Sequence, residues 1–288
     1  MRPEPSRRAL VFGGAACAAL PATAWAQVET KFRAIEQQVG GRLGVFARDV
    51  RSGRSVGWRK DERFATASSF KALLAGAVLQ RVDAGRERLD RTLTVPTTLL
   101  HHSPTTQPHA GRPMTVEALC AGFVTFSDNT GANMLLDTLG GPAGLTRIIR
   151  SWGDSVTRLD RYELALNEAL PGDPRDTTSP TAVSATAEKL LLGRLLSPAS
   201  RERLTRWMVD STTGLRRIRA GAPAGWRVAD KTGTGSRGAT ADFAVLWPSR
   251  GGPISMATYL AETSRPLPER EAALAAAARA ALSGLGRA

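Results

Sequence analysis

A serine and a lysine at the start of a helical pattern are the residues best suited to chemistry. Ser68 and Lys71 lie three positions apart, just before the apolar run 72–79. Residues with that spacing are neighbours on a helix surface, so the Ser68 hydroxyl and the Lys71 amine are predicted to lie within hydrogen-bonding distance. A serine hydroxyl becomes an effective nucleophile when a neighbouring base takes its proton. The alternative role for Ser68 is a plain helix cap, because its hydroxyl can accept from free backbone N–H groups.

The scarcity of lysine favours an amine as part of that base. Of the 39 Lys and Arg residues, only five are lysine: Lys31, Lys60, Lys71, Lys189 and Lys231. A desolvated lysine can lose its proton, whereas an arginine effectively cannot. The histidines all lie between positions 101 and 109, and no Gly-x-Ser-x-Gly elbow surrounds Ser68. We therefore expect a lysine or a carboxylate, rather than a histidine, to activate the serine.

Three further stretches could complete a site. Ser127-Asp128-Asn129 falls in a short link between two predicted helices and offers a second hydroxyl and a carboxamide. Lys231-Thr232-Gly233-Thr234 lies on a predicted strand, where the glycine would let a ligand approach the backbone. Glu163 and Asn167 supply a carboxylate and a carboxamide from an irregular stretch at about 157–180. Loops of that length inside a compact domain are often functional.

Hydrophobic periodicity predicts the elements that must position these residues. The predicted strands are 42–50, 55–58, 226–234, 241–247 and 254–262, and the predicted helices are 29–39, 68–83, 115–123, 129–139, 142–151, 182–196, 198–208 and 269–285. Strands near both ends that enclose a helical middle predict an α+β fold, with an antiparallel sheet flanked by terminal helices and an all-α lobe. We expect one domain over 27–288, with an α/β lobe at about 27–60 and 210–288, an all-α lobe at about 61–209, and the site in the cleft between them.

The first 26 residues have the pattern of an export signal. Arg7-Arg8 precede a small and apolar run, and Ala24-Trp25-Ala26 precede Gln27 as a cleavage sequence. The segment around the two arginines also resembles a twin-arginine signal, and an ordinary secretory signal is the alternative. We expect a periplasmic or secreted protein without stable membrane association. Cys120 is then the only cysteine after processing, which excludes an intrachain disulfide.

The net charge of +13 is spread over scattered arginines, and aromatic residues make up only 6% of the chain. Without a nucleic-acid-binding motif, this pattern indicates a solvated basic surface that attracts small anions rather than nucleic acid. No cluster of His, Cys and Asp has metal-ligand spacing, so no metal or organic cofactor is expected. We expect a monomer that acts on a small molecule.

In their order and spacing, the four motifs resemble those of the class A serine β-lactamases. The resemblance implies that Ser68 attacks the β-lactam carbonyl and that Lys71 and Ser127 move its proton toward the lactam nitrogen. It implies that the backbone N–H groups of Ser68 and Thr234 form the oxyanion hole. Asn129 would bind the side-chain amide of the substrate, and Lys231 and Thr232 its carboxylate. Glu163, with Asn167, would activate the water that hydrolyses the acyl-enzyme. Whether Lys71 or Glu163 takes the serine proton stays open.

Two positions depart from the usual pattern of that family. Thr240 stands where many members carry an arginine that helps to hold the substrate carboxylate, and Arg217 resembles the position from which others supply a replacement. The alternative for Arg217 is plain surface, because it lies among Arg216 and Arg219. The resemblance also implies that Arg161 and Asp176 pair to tie together the ends of the irregular loop.

Two other functions share part of the motif set. A penicillin-binding DD-peptidase or a β-lactam sensor would use Ser68, Lys71, Ser127 and Lys231 but stall at the acyl-enzyme. Glu163 and Asn167 favour the hydrolase, because a protein that only acylates has no use for a pair that holds water. A non-enzymatic basic binding module would leave four ordered motifs as coincidence.

Overall fold

The computed structural model describes residues 22–287. Most of the predicted export segment, residues 1–26, therefore lies outside the described residues. The helices, in chain order, are α1 (Ala22–Val39), α2 (Phe70–Asp83), α3 (Val116–Thr125), α4 (Asn129–Thr138), α5 (Gly141–Ser151), α6 (Pro180–Leu191), α7 (Pro198–Val209), α8 (Ile218–Gly221) and α9 (Leu267–Gly284). The strands are β1 (Arg42–Asp49), β2 (Ser55–Trp58), β3 (Phe64–Ala65), β4 (Thr92–Thr94), β5 (Pro113–Thr115), β6 (Thr177–Thr178), β7 (Arg227–Thr234), β8 (Thr240–Trp247) and β9 (Ile254–Ala261).

A five-stranded antiparallel sheet, in the order β2-β1-β9-β8-β7, forms the centre of the fold. Because side chains alternate along a strand, Phe243 and Tyr259 point to one face of the sheet while Ala244 and Leu260 point to the other. The second face is covered by α1 and α9, and the first face packs on α6 and, beyond it, the helices of the middle of the chain. The predicted α+β class, with terminal helices flanking an antiparallel sheet, is confirmed. The exact lobe boundaries stay a prediction.

Helix α2 runs through the middle of the helical region. Ten consecutive residues, Phe70 to Leu79, are buried, so this helix is enclosed on every side. A helix that is apolar all round has no solvent face, which agrees with its run of leucine, alanine and valine. Lys71 is the exception in this segment, since it places a charged group at a fully buried position.

Predicted and observed bounds differ most for two helices. Helix α1 begins at Ala22 rather than at position 29, and the helix predicted at 182–196 is α6, which ends at Leu191. The start of α6 is fixed by Ser179, whose side chain accepts from the Ala182 N–H, followed by a proline in the first turn. Its end coincides with Gly193, whose N–H donates to the Glu188 carbonyl.

The irregular stretch is attached to the rest of the fold by a short strand pair that the sequence did not indicate. Strand β6 pairs with β3, and β3 directly precedes the Ser68 turn. The Thr66 N–H and hydroxyl both donate to the Asp176 carbonyl, at 2.8 and 3.0 Å. One end of the irregular stretch is thereby held against the segment that carries the serine. None of the helices in the described part of the chain is long and apolar enough to cross a membrane.

Candidate active site

Ser68 lies in a single 3₁₀ turn, Ala67–Ser69, that leads into α2. The N-cap residue of α2 is Ser69, and its hydroxyl donates to the Thr66 carbonyl at 2.6 Å. The Ser68 hydroxyl instead donates to Glu163 Oε1 at 2.9 Å and accepts from Lys71 Nζ at 2.8 Å. Its side chain is therefore directed toward two groups that can exchange a proton rather than toward the helix end.

Lys71 is enclosed by acceptors. Beside Ser68, its amine donates to the Ser127 carbonyl at 3.0 Å and to Asn129 Oδ1 at 2.5 Å, and it lies 2.8 Å from Glu163 Oε1. Burial lowers the pKa of the Lys71 amine, and the nearby Glu163 carboxylate opposes that shift. A lysine so placed can donate to the serine when charged and accept from it when neutral.

Glu163 reaches the serine from the irregular stretch, and both of its carboxylate oxygens are engaged. Oε1 contacts Ser68 and Lys71, while Oε2 accepts from Asn167 Nδ2 at 2.5 Å. The backbone of Glu163 is fixed by Asn133, which accepts its N–H at 3.1 Å and donates to its carbonyl at 3.0 Å. The Glu163 carboxylate is thus held from three sides within 2.9 Å of the serine oxygen.

The ends of the irregular stretch are tied together as predicted. Arg161 Nε donates to Asp176 Oδ2 at 2.6 Å, and the backbone N–H groups of Asp160 and Arg161 donate to Asp176 Oδ1. Asp176 is fully buried, so its charge is compensated by this arginine and these two N–H groups. The predicted pairing of Arg161 with Asp176 is confirmed.

A second buried amine lies on the other side of Ser127. Lys231 Nζ donates to Ser127 Oγ at 3.1 Å and to the Thr232 carbonyl at 3.0 Å. Burial, followed by repulsion from Lys71, lowers the pKa of the Lys231 amine to about 7. The Ser127 backbone has φ 63°, a left-handed conformation that is rare for a residue other than glycine. This conformation directs the Ser127 carbonyl to one lysine and its hydroxyl to the other.

The link between α3 and α4 is built around Asp128. This residue is the N-cap of α4, accepts from the Gly131 N–H at 2.8 Å, and accepts from Thr105 and Thr106. Asn129 is thereby placed with Oδ1 on Lys71 and Nδ2 donating to the His101 carbonyl at 2.7 Å. An amide nitrogen carries two protons, so one proton of Asn129 Nδ2 is left for another acceptor.

Gly233 has a packing role that the sequence did not indicate. A Cβ at this position would lie 2.5 Å from the Thr66 carbonyl oxygen and 3.0 Å from the Ser69 nitrogen. The glycine therefore allows β7 to approach the serine turn, and because Gly233 also lines the cleft, its predicted position beside a ligand stays a prediction. This close contact brings Thr232 and Thr234 to the edge of the cleft that contains Ser68.

Arg217 is buried, which excludes the plain-surface alternative, while its neighbour Arg216 is exposed. Its guanidinium donates to the carbonyls of Gly233 and Ala241, at 2.9 and 2.8 Å, and to Thr234 Oγ1 at 2.7 Å. Its Nε donates to Glu271 Oε1 at 3.3 Å. Arg217 thus places a positive charge at the end of β7, beside Thr234.

These residues line one cleft with a volume of about 840 Å³. Its lining includes Ser68, Ser127, Asn129, Asn167, Arg217, Thr232, Gly233 and Thr234. Lys71, Lys231 and Glu163 lie behind this lining and reach the cleft through their contacts with Ser68 and Ser127. All eleven residues predicted for the site therefore lie together. Among the described residues, no group of three or more His, Cys, Asp or Glu side chains is arranged to hold a metal ion.

Sequence reasoning missed two residues of the site. Asn133 fixes the backbone of Glu163, and its position four residues after Asn129 on α4 was an available signal, because that spacing shares a helix face. Thr213 Oγ1 lies 2.6 Å from Thr232 Oγ1. Nothing in the sequence around Thr213 indicates that contact, which depends on how the segment after α7 folds across β7.

Comparisons with a family model and with solved structures all indicate the same family. A family model described as the beta-lactamase enzyme family matches residues 27–285. A solved ancestral class A β-lactamase is 53% identical, with 89% of this chain and 99% of that chain covered and a TM-score of 0.87. A class A β-lactamase of the last common ancestor of Gram-negative bacteria is 52% identical, with 90% and 99% covered and a TM-score of 0.88. A β-lactamase from Xanthomonas campestris is 43% identical, with 91% and 99% covered and a TM-score of 0.88.

Proposed function

The chain belongs to the beta-lactamase enzyme family, as a class A member, and we propose that it hydrolyses penicillins and early cephalosporins through an acyl-enzyme on Ser68. The observation that carries this mechanism is the position of Glu163. Its carboxylate lies within hydrogen-bonding distance of the Ser68 hydroxyl and is held by Asn167. A protein that only captured a β-lactam would have no need for a buried carboxylate at that place.

In the proposed binding step, the substrate carboxylate lies between Lys231, Thr232, Thr234 and Arg217. Charge-assisted hydrogen bonds to such a group are stronger than neutral ones, which suits a cleft that is lined by Arg217 and has Lys231 directly behind its lining. Asn129 donates its remaining amide proton to the side-chain amide of the substrate. The lactam carbonyl then lies in front of Ser68, with its oxygen toward the backbone N–H groups of Ser68 and Thr234. Each such donor is worth about 3–4 kcal/mol of transition-state stabilisation in comparable sites.

In the proposed acylation step, Ser68 Oγ bonds to the lactam carbonyl carbon while its proton leaves to a base. Lys71 Nζ and Glu163 Oε1 both lie within 2.9 Å of that oxygen, so the contacts leave either group able to accept the proton. When the C–N bond breaks, the lactam nitrogen takes a proton from Ser127. The Ser127 hydroxyl recovers a proton from the neighbouring amines, since its oxygen contacts Lys231 and its carbonyl contacts Lys71.

In the proposed deacylation step, Glu163 and Asn167 bind a water molecule beside the Ser68 ester. Glu163 takes a proton from the water, whose oxygen bonds to the ester carbonyl carbon. The C–Oγ bond then breaks, Ser68 regains a proton, and the product leaves with a second carboxylate. General-base catalysis of this kind contributes about 100- to 10,000-fold in rate.

Glu163→Gln tests whether Glu163 is required for deacylation but not for acylation. The amide cannot accept a proton from water, so we expect the acyl-enzyme to form and persist, with steady-state turnover of a penicillin reduced at least about 100-fold. Mass spectrometry after mixing with a penicillin would show the protein plus one intact substrate mass. Full turnover by this variant, with only free protein seen, would contradict the role of Glu163. A stable adduct on the unsubstituted protein would instead indicate a penicillin-binding DD-peptidase or sensor.

We also propose that the N-terminal segment up to Ala26 directs export and is then removed. Because α1 begins at Ala22, cleavage after Ala26 would shorten that helix by its first five residues and leave Val28 and Phe32 in the core. The intact mass of the protein recovered from the periplasm or medium would locate the cleavage. A mass that includes residues 1–26 would contradict the proposal.

A further inference from the structure

Two buried acids, Asp230 on β7 and Asp242 on β8, lie outside the proposed reaction. Both side chains are fully buried, on the face of the sheet that packs against α1 and α9. Asp242 is the cross-strand neighbour of Thr232, and Asp230 lies two residues before Thr232 on β7. Burying a carboxyl group is costly, so two of them behind the carboxylate-binding end of the cleft require an explanation.

Both acids contact the short segment that carries Arg217. Asp242 Oδ2 accepts from the Ile218 backbone N–H at 3.0 Å, and Ile218 directly follows Arg217. The neighbouring Ala241 carbonyl accepts from the Arg217 guanidinium at 2.8 Å. Two adjacent residues of β8 therefore accept from the Ile218 N–H, which directly follows Arg217, and from the Arg217 side chain. Asp230 Oδ1 accepts from Arg219 Nε at 3.0 Å, and Arg219 is the second residue of the single turn of α8.

The N–H that Asp242 accepts belongs to the first residue of a helix only four residues long. Arg217 is the N-cap residue of α8, but it makes no side-chain cap hydrogen bond. The first N–H groups of a helix have no partner within it and need one from outside. Asp242 supplies that partner from strand β8, although it does not itself line the cleft.

We propose that Asp242 is a positioning residue for substrate binding: through the Ile218 N–H it holds Arg217 in the place where the guanidinium meets Thr234 and the substrate carboxylate. This inference rests on the proposed function, because it concerns the carboxylate-binding part of that site. It predicts that Asp242 acts as a hydrogen-bond acceptor rather than as a charge. Burial raises the pKa of the Asp242 carboxyl well above its usual range, which agrees with a role that needs no negative charge.

The other carboxyl oxygens of Asp230 and Asp242 also agree with a role that needs no negative charge on Asp242. Asp230 Oδ2 and Asp242 Oδ1 are buried without a hydrogen-bond partner among the described residues, as is the hydroxyl of Thr258, the neighbour of Asp242 on β9. A protonated carboxyl can donate as well as accept, whereas two charged carboxylates in this position would repel each other.

A double-mutant cycle tests the proposal. Asp242→Ala removes the acceptor of the Ile218 N–H. We expect KM for a penicillin to rise about tenfold while kcat changes less than about twofold. The reason is that losing the charge-assisted contact of Arg217 with the substrate carboxylate weakens binding by about that factor. In an Arg217→Ala background the same substitution should raise KM less than about twofold further, because the residue that it positions is gone. In an Arg216→Ala background its effect should persist in full, because Arg216 is exposed and one residue away.

Asp242→Asn separates an acceptor from a charge, and it decides the question if the alanine variant does not fold. The amide oxygen can accept the Ile218 N–H, so KM should stay within about twofold of that of the unsubstituted protein. An asparagine variant with the raised KM of Arg217→Ala would overturn the proposal, as would equal effects of Asp242→Ala with and without Arg217. Absence of penicillin turnover by the unsubstituted protein would refute the proposed function instead, before any variant is compared.

Discussion

Lys71 and Lys231 illustrate why individual residue types matter in this site. Both amines are fully buried and both have a lowered pKa, with burial as the main cause. They differ in their surroundings, because a carboxylate faces Lys71 while Lys231 faces a hydroxyl and a carbonyl. Lys71 is therefore suited to proton exchange with the serine, and Lys231 to holding an anion that arrives from outside.

The lowered pKa of Lys231 predicts a pH dependence. Below about pH 7 the amine is charged and, in the proposed binding step, attracts the substrate carboxylate, and above that pH the charge is progressively lost. Because kcat/KM reports the free enzyme, we expect its value for a penicillin to fall as the pH rises through 7.

The same pKa shift affects stability. Between pH 7 and the ordinary lysine value of 10.5 the unfolded chain binds more protons than the folded chain, so the contribution of Lys231 to the stability of the folded state rises with pH.

Lys231→Arg tests that dependence. An arginine stays charged over the whole range, so the fall in kcat/KM should move upward by more than about one pH unit, even if its maximum is lower. Lys60→Arg, at an exposed lysine paired with Asp61, is the matched control and should leave the profile unchanged. Profiles of kcat/KM from pH 5 to 10 decide the matter. An arginine variant whose profile coincides with that of the unsubstituted protein would show that another group causes the fall.

At this scale the sequence indicated most of the site. Residue type and spacing selected Ser68 and Lys71, because hydroxyl and amine chemistry restricts which residues can serve, and the resemblance of the four ordered motifs to a known family selected Glu163 and Lys231. It did not indicate that Gly233 packs against the serine turn, and it missed Thr213. Both depend on which backbone segments pass close to each other in space, and a single sequence does not contain that information.

At the scale of elements, the close contact of β7 with the serine turn predicts the effect of Gly233→Ala. The added Cβ would lie 2.5 Å from the Thr66 carbonyl oxygen, so the strand or the turn must move. Overpacking of this kind costs about 1–3 kcal/mol of stability, and a displacement of about 1 Å at a catalytic centre can cost about 100-fold in rate. We expect both a lower Tm and a fall in kcat of that order.

Gly131→Ala on α4 provides the matched control. A Cβ there meets its nearest atoms at 3.4 Å or more, and the glycine lies within a helix, where alanine is preferred. We expect its Tm and its kcat to equal or exceed those of the unsubstituted protein. If Gly233→Ala behaved like this control in thermal unfolding and penicillin turnover, the tight approach of β7 to the turn would not be needed.

The elements themselves were predicted unevenly. Strands β7, β8 and β9 and helices α4, α5 and α7 agree with the prediction within two residues, because they are long and bounded by glycine, proline or polar residues. The pairs β3–β6 and β4–β5 were missed. Strands of two or three residues carry too little alternation to be recognised, yet the first of these pairs holds the loop that brings Glu163 to the serine.

For the molecule as a whole, the sheet is covered by helices on both faces, and this arrangement explains the composition of its strands. All of β8 except its last residue is buried, and so is all of β9 except its last residue. A sheet that is buried on both faces lacks the alternation of polar and apolar residues, which explains why β8 and β9 are apolar along most of their length. The cleft then lies at the end of β7, where the sheet meets the helical region.

Cys120 reports on the integrity of that helical region. It lies on α3, is fully buried, and belongs to the core around α2. Burial raises the pKa of its thiol well above the usual value, and only the thiolate reacts readily. In the folded protein the thiol is therefore protected twice, once by exclusion of the reagent and once by suppression of its reactive form.

We accordingly expect Cys120 to resist alkylation in native buffer and to react when the chain unfolds. The experiment uses a Cys17→Ser variant, so that Cys120 is the only thiol in the full chain. Labelling across a urea series should follow the loss of helical signal, with one midpoint for both, since the thiol becomes accessible only when the core of α2 opens. Labelling that precedes the loss of helical signal would show that the helical region opens independently of the sheet. The serine turn at the start of α2 would then belong to the less stable of these two regions.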